Sequence, residues 1–181
     1  TWRFFDPRAG GGDFFDHAPH YIDLMRFLFG EIESVYCQTR RFIKSRLHED
    51  LAVAVFTLSN EAVAVMEKST LVVGRPAGVE TGFIYGEKAK IAFEAFQEYK
   101  HKKMKVRLYT PFNVLPDKYR RLRLPGGRRN TLYYRQMGHF VDRIVGEKTV
   151  IGDYEGEWSA SIEDASTAIA WTLAGYRSAR E

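Results

Sequence analysis

Five ionisable side chains fall on one face of a predicted helix near the start of the chain. On an ideal helix each residue advances about 100°, so these five project within roughly 120° of one another: Asp13, Asp16, His17, His20 and Asp23, here called the helix stripe. Asp16 and His20 are four residues apart, a spacing at which a carboxylate reaches an imidazole. Such a hydrogen bond sets the imidazole tautomer, raises its basicity and leaves the second ring nitrogen free to exchange a proton with a bound hydroxyl. The pattern therefore predicts acid/base chemistry, with His20 as the acid/base and Asp16 as its partner.

Two other interpretations of the helix stripe are open on the residues alone. In the first it is a solvated helix face, although such faces usually contain Glu and Lys, and residues 13–23 contain neither. In the second it binds a divalent metal, since Asp and His at these spacings suit zinc or iron. No distant His-x-His pair completes a ligand set, so we assign no metal.

The spacing of apolar residues predicts the elements that position the stripe. A helix is predicted from about 13 to 29, after three glycines at 10–12 that give the backbone freedom at the helix entry. Apolar runs predict strands at 32–43, 51–58, 62–73, 81–85, 90–96, 105–109 and 119–124, and helices follow at 131–145 and 161–180. The run 51–58 is apolar at both alternations, so we expect a central strand that is covered on both faces. This order predicts an α+β fold, with an open mixed and largely antiparallel sheet and helices packed on one face.

The length and composition limit the class of protein. The chain has 181 residues, 45% of them apolar, and it has no run of about 18 apolar residues and no secretory signal. The single cysteine, Cys37, excludes an internal disulfide, and its place in a strand predicts a core residue. These features predict a soluble, cytoplasmic protein with no membrane partner. Because a dinucleotide-binding domain plus a substrate domain needs roughly 300 residues, the chain has room for one of the two.

The formal net charge of +4 is concentrated between residues 100 and 129. This segment holds eleven Lys and Arg but one acid, Asp117, so the rest of the chain is net acidic. Aromatic residues are interleaved with the cations, a pattern compatible with nucleic-acid binding. A solvated sheet edge gives the same pattern, because cations discourage edge-to-edge pairing, and attraction of an anionic substrate or cofactor phosphate is a third possibility. We adopt the sheet edge and expect no nucleic-acid partner.

A series of short motifs extends along almost the whole chain. They are, in order, Trp2-Arg3, Asp6-Pro7, Gly10-Gly11-Gly12, Asp16-x-x-x-His20, His20-x-x-Asp23-Leu24, Phe27-Leu28-Phe29-Gly30-Glu31-Ile32, Ser34-Val35, Glu49-Asp50, Ile84-Tyr85-Gly86-Glu87-Lys88 and Gln136-Met137-x-His139-Phe140-Val141-Asp142. Together they resemble the substrate-domain signature of the glucose-fructose oxidoreductase, inositol dehydrogenase and rhizopine catabolism family.

This resemblance implies a two-domain NAD(P)-dependent oxidoreductase that acts on sugars, polyols and related hydroxyl compounds. An N-terminal Rossmann domain then binds NAD or NADP, and a C-terminal domain similar to that of dihydrodipicolinate reductase binds the substrate. His20 matches the acid/base histidine of the family and Asp16 the acid before it. Arg3 and His17 match positions near the substrate; otherwise Arg3 is a structural ion-pair partner and His17 a surface residue. The open sheet face is implied to form a homodimer or homotetramer.

Two features of this family are missing from the sequence. No Gly-x-Gly-x-x-Gly follows a strand, and neither Glu67-Lys68-Ser69 nor Glu87-Lys88-Ala89 has the proline of the Glu-Lys-Pro motif that carries the family's catalytic lysine. We therefore expect residues 1–181 to be a single substrate-binding and oligomerisation domain. It would be a fragment that is inactive alone, with the Rossmann domain and the cofactor-binding residues outside it. The alternative is a non-catalytic binding or oligomerisation module of the same fold.

Overall fold

The predicted order of helices and strands is present in a computed structural model of the chain, which describes residues 2–71, 79–98, 101–109, 120–121, 132–146, 150–151, 154–155 and 161–181. The chain divides into two compact units, Thr1–Val72 with Ser159–Glu181 and Val73–Trp158. The first unit contains the helix stripe and therefore positions the candidate site. That residues 1–181 act as one substrate domain stays a prediction.

Two helices of the first unit pack on one face of a three-stranded sheet. The α-helices in the described residues are α1 (Asp13–Phe29), α2 (Leu132–Val145) and α3 (Ile162–Ser178), of which α1 and α3 belong to this unit. Its strands are β1 (Ile32–Arg40), β2 (Leu51–Leu58) and β3 (Val63–Ser69), in the order β1-β2-β3 with antiparallel pairing. The predictions of a helix over 13–29 and of a central strand over 51–58 are confirmed.

Local sequence sets the ends of the helices. Helix α1 begins after Gly12 and ends at Gly30, whose φ of 97° favours glycine and whose N–H donates to the carbonyl of Arg26. Helix α3 begins with a capping box: the Ser161 hydroxyl accepts from the Asp164 N–H at 3.1 Å, and the Asp164 carboxylate accepts from the Ser161 N–H at 2.9 Å. Residues next to each helix therefore define the end of α1 and the start of α3.

The core of the first unit lies between the sheet and its two helices. Strand β2 buries the alternate residues Ala52, Ala54, Phe56 and Leu58, and the remaining buried apolar residues are Phe14, Ala18, Ile22, Ile32, Cys37, Met66 and Ala168. On the opposite face Val53 is 37% exposed, and Val63 and Val65 of β3 are 65% and 69% exposed. The prediction that β2 is covered on both faces is therefore wrong for this chain, because α1 and α3 pack on the same face.

The second unit contains a separate antiparallel sheet. Its strands are β4 (Val79–Tyr85), β5 (Lys90–Glu98), β6 (His101–Tyr109) and β7 (Arg120–Arg121), paired in that order, followed by α2 and the short pair β8 (Val150–Ile151) and β9 (Tyr154–Glu155). Of the basic segment 100–129, only residues 101–109 and 120–121 are among those described. The remainder of that predicted sheet edge lies outside them.

The fold class is α+β, as predicted. Every strand pair in the described ranges is antiparallel, and the strands form sheets of three, four and two strands. A parallel pair, expected for a mixed sheet, is not found among these strands. Within the same ranges, no helix combines the length and apolar character needed to cross a membrane.

Candidate functional site

The start of α1 is held by a buried carboxylate. Glu49, just before β2, is 8% exposed, and its Oε1 accepts the N–H of Gly12 at 3.0 Å and the N–H of Phe14 at 3.1 Å. The Tyr176 hydroxyl of α3 donates to the same oxygen at 2.7 Å. Burial, and then this contact, raise the pKa of Tyr176 above its ordinary value. The Glu49 carboxylate thus connects the start of α1 and Tyr176 of α3 to the segment before β2. Its negative charge lies at the positive end of the α1 dipole.

Gly11 and Gly12 allow this contact because they have no side chain. A Cβ on Gly12 would overlap the backbone oxygen of Glu49 and lie 2.8 Å from its Oε1, and a Cβ on Gly11 would overlap the Tyr176 hydroxyl. The φ of Gly12 is −93°, which other residues also adopt. The glycines were predicted to supply backbone freedom; at Gly12 the structure requires close approach instead.

Side chains of the helix stripe form three ion pairs, and none of them joins Asp16 to His20. His17 Nδ1 lies 3.0 Å from Asp13 Oδ1, four residues earlier. The Asp16 carboxylate accepts a hydrogen bond from the guanidinium of Arg3, in the 3-10 turn before the helix, and lies 3.8 Å from His17 Nδ1. Among the described residues, the exposed His20 has no hydrogen bond to Asp16. The hydrogen bond predicted between them is not formed in this structure, since Arg3 holds the carboxylate.

The Asp13–His17 pair favours a protonated imidazole. The hydrogen bond to Asp13 raises the pKa of His17, although burial and the charge of Lys68 act in the other direction. Burial by itself raises the pKa of Asp13, but the hydrogen bond from His17 and nearby positive charges outweigh it and hold that pKa below its ordinary value. His17 therefore keeps its proton to a higher pH than a free histidine does.

Two further cations, Lys68 and Arg46, lie near Asp13, and the charges of both lower its pKa. Lys68 is opposite Ala52 in the β2–β3 register, and its Nζ lies 5.1 Å from the centre of the Tyr21 ring on α1. The sequence does contain a signal for Lys68: it is two residues after the buried Met66, so strand alternation places it on the helix-covered face of β3. The sequence around Arg46 does not predict that its side chain lies near Asp13.

The four residues predicted to act at the site lie on an open surface of the first unit. Arg3 and His20 are exposed, and Asp16 and His17 are partly exposed. A cavity of about 340 Å³ in this unit lies elsewhere, between the glycine loop, the end of β1 and the end of α3, and none of the four lines it. The first unit by itself therefore does not enclose a substrate at the helix stripe.

Cys37 and His48 have structural roles. Cys37 is fully buried in β1, and this burial raises the pKa of its thiol to about 11. His48 Nε2 lies 2.9 Å from the backbone oxygen of Asp6. The burial of Cys37 agrees with the prediction that it is a core residue. Among the side chains that the structure describes, no three His, Cys, Asp or Glu are grouped so as to hold a metal ion.

The first unit thus combines a helix-covered antiparallel sheet with the ionisable helix stripe on α1. The chain belongs to the family described as the GFO/IDH/MocA C-terminal domain, whose profile matches residues 1–92. The resemblance deduced from the motifs is thereby confirmed. No curated protein sequence matches the chain.

Solved structures share this fold at low sequence identity. The complex of levoglucosan dehydrogenase with NADH matches with a TM-score of 0.75 and 21% identity, and its complex with NADH and L-sorbose with 0.74 and 22%; each match covers 99% of this chain and 51% of that one. The WlbA dehydrogenase from Bordetella pertussis, in complex with NADH and UDP-GlcNAcA, matches with a TM-score of 0.59 and 23% identity over 94% of this chain and 44% of its own. The chain spans about half the length of the structures it matches.

Proposed function

We propose that the chain is the substrate domain of an NAD(P)-dependent oxidoreductase that transfers a hydride between the nicotinamide cofactor and a sugar, polyol or related hydroxyl compound. The observation that carries this proposal is the placement of Asp16, His17 and His20 on a helix whose start is fixed by Glu49. Family membership and the NADH-bound dehydrogenases of the same fold support the cofactor class. The single, buried Cys37 supports a cytoplasmic location, where thiols stay reduced.

His20 is the residue that exchanges a proton with the substrate. When a hydride leaves a carbinol carbon, the hydroxyl proton must pass to a positioned base. The imidazole of His20 is exposed at the surface of α1 and is available to a bound hydroxyl. Asp16 is held by Arg3 and is therefore better placed to accept a hydrogen bond from a substrate hydroxyl than to orient His20. Arg3 and His17 complete the polar surface that faces the substrate.

The dinucleotide does not fit the glycine loop before α1. Such loops bind phosphate through free N–H groups at a helix N-terminus. Here the Glu49 carboxylate already accepts the N–H groups of Gly12 and Phe14, and its charge repels a second anion. We therefore propose that NAD or NADP, which carries the hydride, is bound mainly by a Rossmann domain outside residues 1–181.

Turnover by the full-length protein tests this function. We expect oxidation of at least one sugar or polyol in a panel, with NAD or NADP reduced in equal amount, and we expect no turnover by purified residues 1–181. Turnover by residues 1–181 would show that no further domain is needed. If the full-length protein reduces neither cofactor with any member of the panel, the non-catalytic module becomes the better description.

The outer face of the sheet supports a proposed role in assembly. Tyr36, Val55 and Val65 lie in one row across the three strands, and Val53 and Val63 lie on the same face. Four of these five side chains are exposed, and exposed apolar patches of this kind mark interaction surfaces. We propose that a second copy of the chain covers this face, giving a homodimer or homotetramer in either the catalytic or the non-catalytic case.

Val65→Lys is expected to convert the assembly to monomers, because the substitution buries an unpaired ammonium in the proposed interface. Molar mass from light scattering or sedimentation checks this. Leu173→Lys is the matched control, since Leu173 is an exposed apolar residue of α3, on the other side of the sheet, and should leave the mass unchanged. A monomeric starting protein, or an unchanged mass for Val65→Lys, would refute the proposed interface.

A further inference from the structure

Lys68 occupies an unusual place for a lysine, on the helix-covered face of the sheet. In the β2–β3 register Lys68 lies opposite Ala52 and Met66 lies opposite Ala54. Ala52, Ala54 and Met66 are buried, and Lys68 itself is partly buried. Its aliphatic stem thus packs at the edge of the core, while its ammonium lies 5.1 Å from the centre of the Tyr21 ring.

Arg46 brings a second cation to the same end of the sheet. Its Nη1 donates to the Thr70 hydroxyl at 2.6 Å, and its guanidinium carbon lies 4.2 Å from the centre of the Phe4 ring. Thr70 is two residues beyond Lys68, immediately after β3. Both cations also act on the Asp13 carboxylate. Both cations therefore lie near Asp13, at the N-terminal end of the helix stripe, and the charge of Lys68 also acts on His17.

The carboxylates near these two cations act on them from beyond ion-pair distance: the charges of both act on Asp13, and the charge of Arg46 also acts on Asp50. Asp13 is hydrogen-bonded by His17, and Asp16 is held by Arg3. In the part of the chain that the structure describes, neither Lys68 nor Arg46 has a carboxylate oxygen within the 4.0 Å of an ion pair. Because neither partly buried cation forms a direct ion pair, a bound anion gives both of them charge-assisted hydrogen bonds that they lack in its absence.

We infer that Lys68 and Arg46 bind an anionic group of the substrate, a carboxylate or a phosphate, so that the site selects sugar acids or sugar phosphates over neutral polyols. The ammonium and the guanidinium supply several N–H donors that suit either group, and Asp13, Asp16 and His17 remain for its hydroxyls. The inference rests on the proposed function for the sugar part of the ligand. It adds the sign of the substrate's charge and the two residues, Lys68 and Arg46, that recognise that charge.

Binding of matched ligands to the full chain tests this inference directly. D-gluconate, D-glucitol 6-phosphate and neutral D-glucitol share a carbon chain and differ in charge, and NMR chemical shifts measure weak affinities. We expect one of the two anions to bind about tenfold or more tightly than D-glucitol, since hydrogen bonds to charged groups are the stronger ones. Inorganic phosphate, as a separate ligand, should bind less tightly than the preferred sugar anion.

Four variants test which side chains cause the preference for anionic ligands. Lys68→Gln and Arg46→Gln should each lower the ratio of anion affinity to D-glucitol affinity and so remove most of the preference for the anion. Lys68→Arg keeps the charge and should keep the preference, which separates a charge effect from a folding defect. Arg177→Gln is the control, because Arg177 is an exposed cation of α3 and its loss changes the net charge equally.

Several outcomes would overturn the inference: equal affinity for charged and neutral ligands, no binding of any of them, or anion binding that Lys68→Gln leaves unchanged. Inorganic phosphate that binds as tightly as the sugar anions would show attraction of an adventitious ion only. A failure of the proposed function would give a different result from these outcomes. Anion binding that depends on Lys68, without nicotinamide-dependent turnover in the full-length protein, would refute the oxidoreductase and leave the binding site intact.

Discussion

His20→Ala in the full-length protein is expected to lower turnover by about 10²-fold or more, the range that a positioned general acid/base contributes. The proposed role of His20 is to take the hydroxyl proton as the hydride leaves, and alanine provides no group that does so. Turnover with NAD or NADP and the best substrate of the panel measures the effect. Substrate affinity should change far less than turnover, because the lost interaction belongs to the transition state.

His17→Ala is the matched comparison for His20→Ala. His17 lies on the same stripe, three residues earlier, and it is paired with Asp13, whereas His20 is not paired with Asp16. We expect His17→Ala to weaken substrate binding more than turnover. The reverse result, with full turnover for His20→Ala and a large loss for His17→Ala, would transfer the acid/base role to the Asp13–His17 pair. Unchanged turnover in both variants would remove the helix stripe from catalysis altogether.

Gly12→Ala should lower the free energy of unfolding by about 3 kcal/mol, among the largest effects of a single methyl group in this chain. The new Cβ would overlap the Glu49 backbone and lie 2.8 Å from its carboxylate oxygen. Helix α1 must then move away, which leaves the buried carboxylate without the N–H groups of Gly12 and Phe14. Urea denaturation followed by circular dichroism measures the loss.

Gly138→Ala is the control for this prediction. Gly138 is an exposed residue of α2, and a Cβ there meets nothing within 4 Å. Alanine should be neutral or stabilise the helix by up to about 1 kcal/mol, from helix propensity alone. Gly12→Ala within about 0.5 kcal/mol of the unsubstituted protein, the range of a surface substitution, would contradict the close packing described for Glu49.

Much of the fold follows from periodicity that a reader can see in the printed sequence. Helix α1 was predicted from apolar spacing between Gly12 and Gly30, and its bounds agree with the structure. Strand β2 was predicted to be central for its apolar composition and is central. The prediction that β2 is covered on both faces was wrong. Apolar composition indicates that a face is unfavourable in water, but it does not indicate which element or which second chain covers that face. Val53 of β2, which is exposed in the single chain, shows the difference.

The sequence by itself determined the α+β class, the family and the helix that carries Asp16, His17 and His20, since helical spacing and short motifs are local properties. Only the tertiary structure decided which side chains pair. Helical spacing permits a hydrogen bond for both Asp13–His17 and Asp16–His20, and only the first forms, because Arg3 takes the Asp16 carboxylate. Glu49, before β2, and Lys68, on β3, reach α1 from positions that are distant along the chain. Ion pairing and burial depend on such long-range neighbours, and no local pattern encodes them.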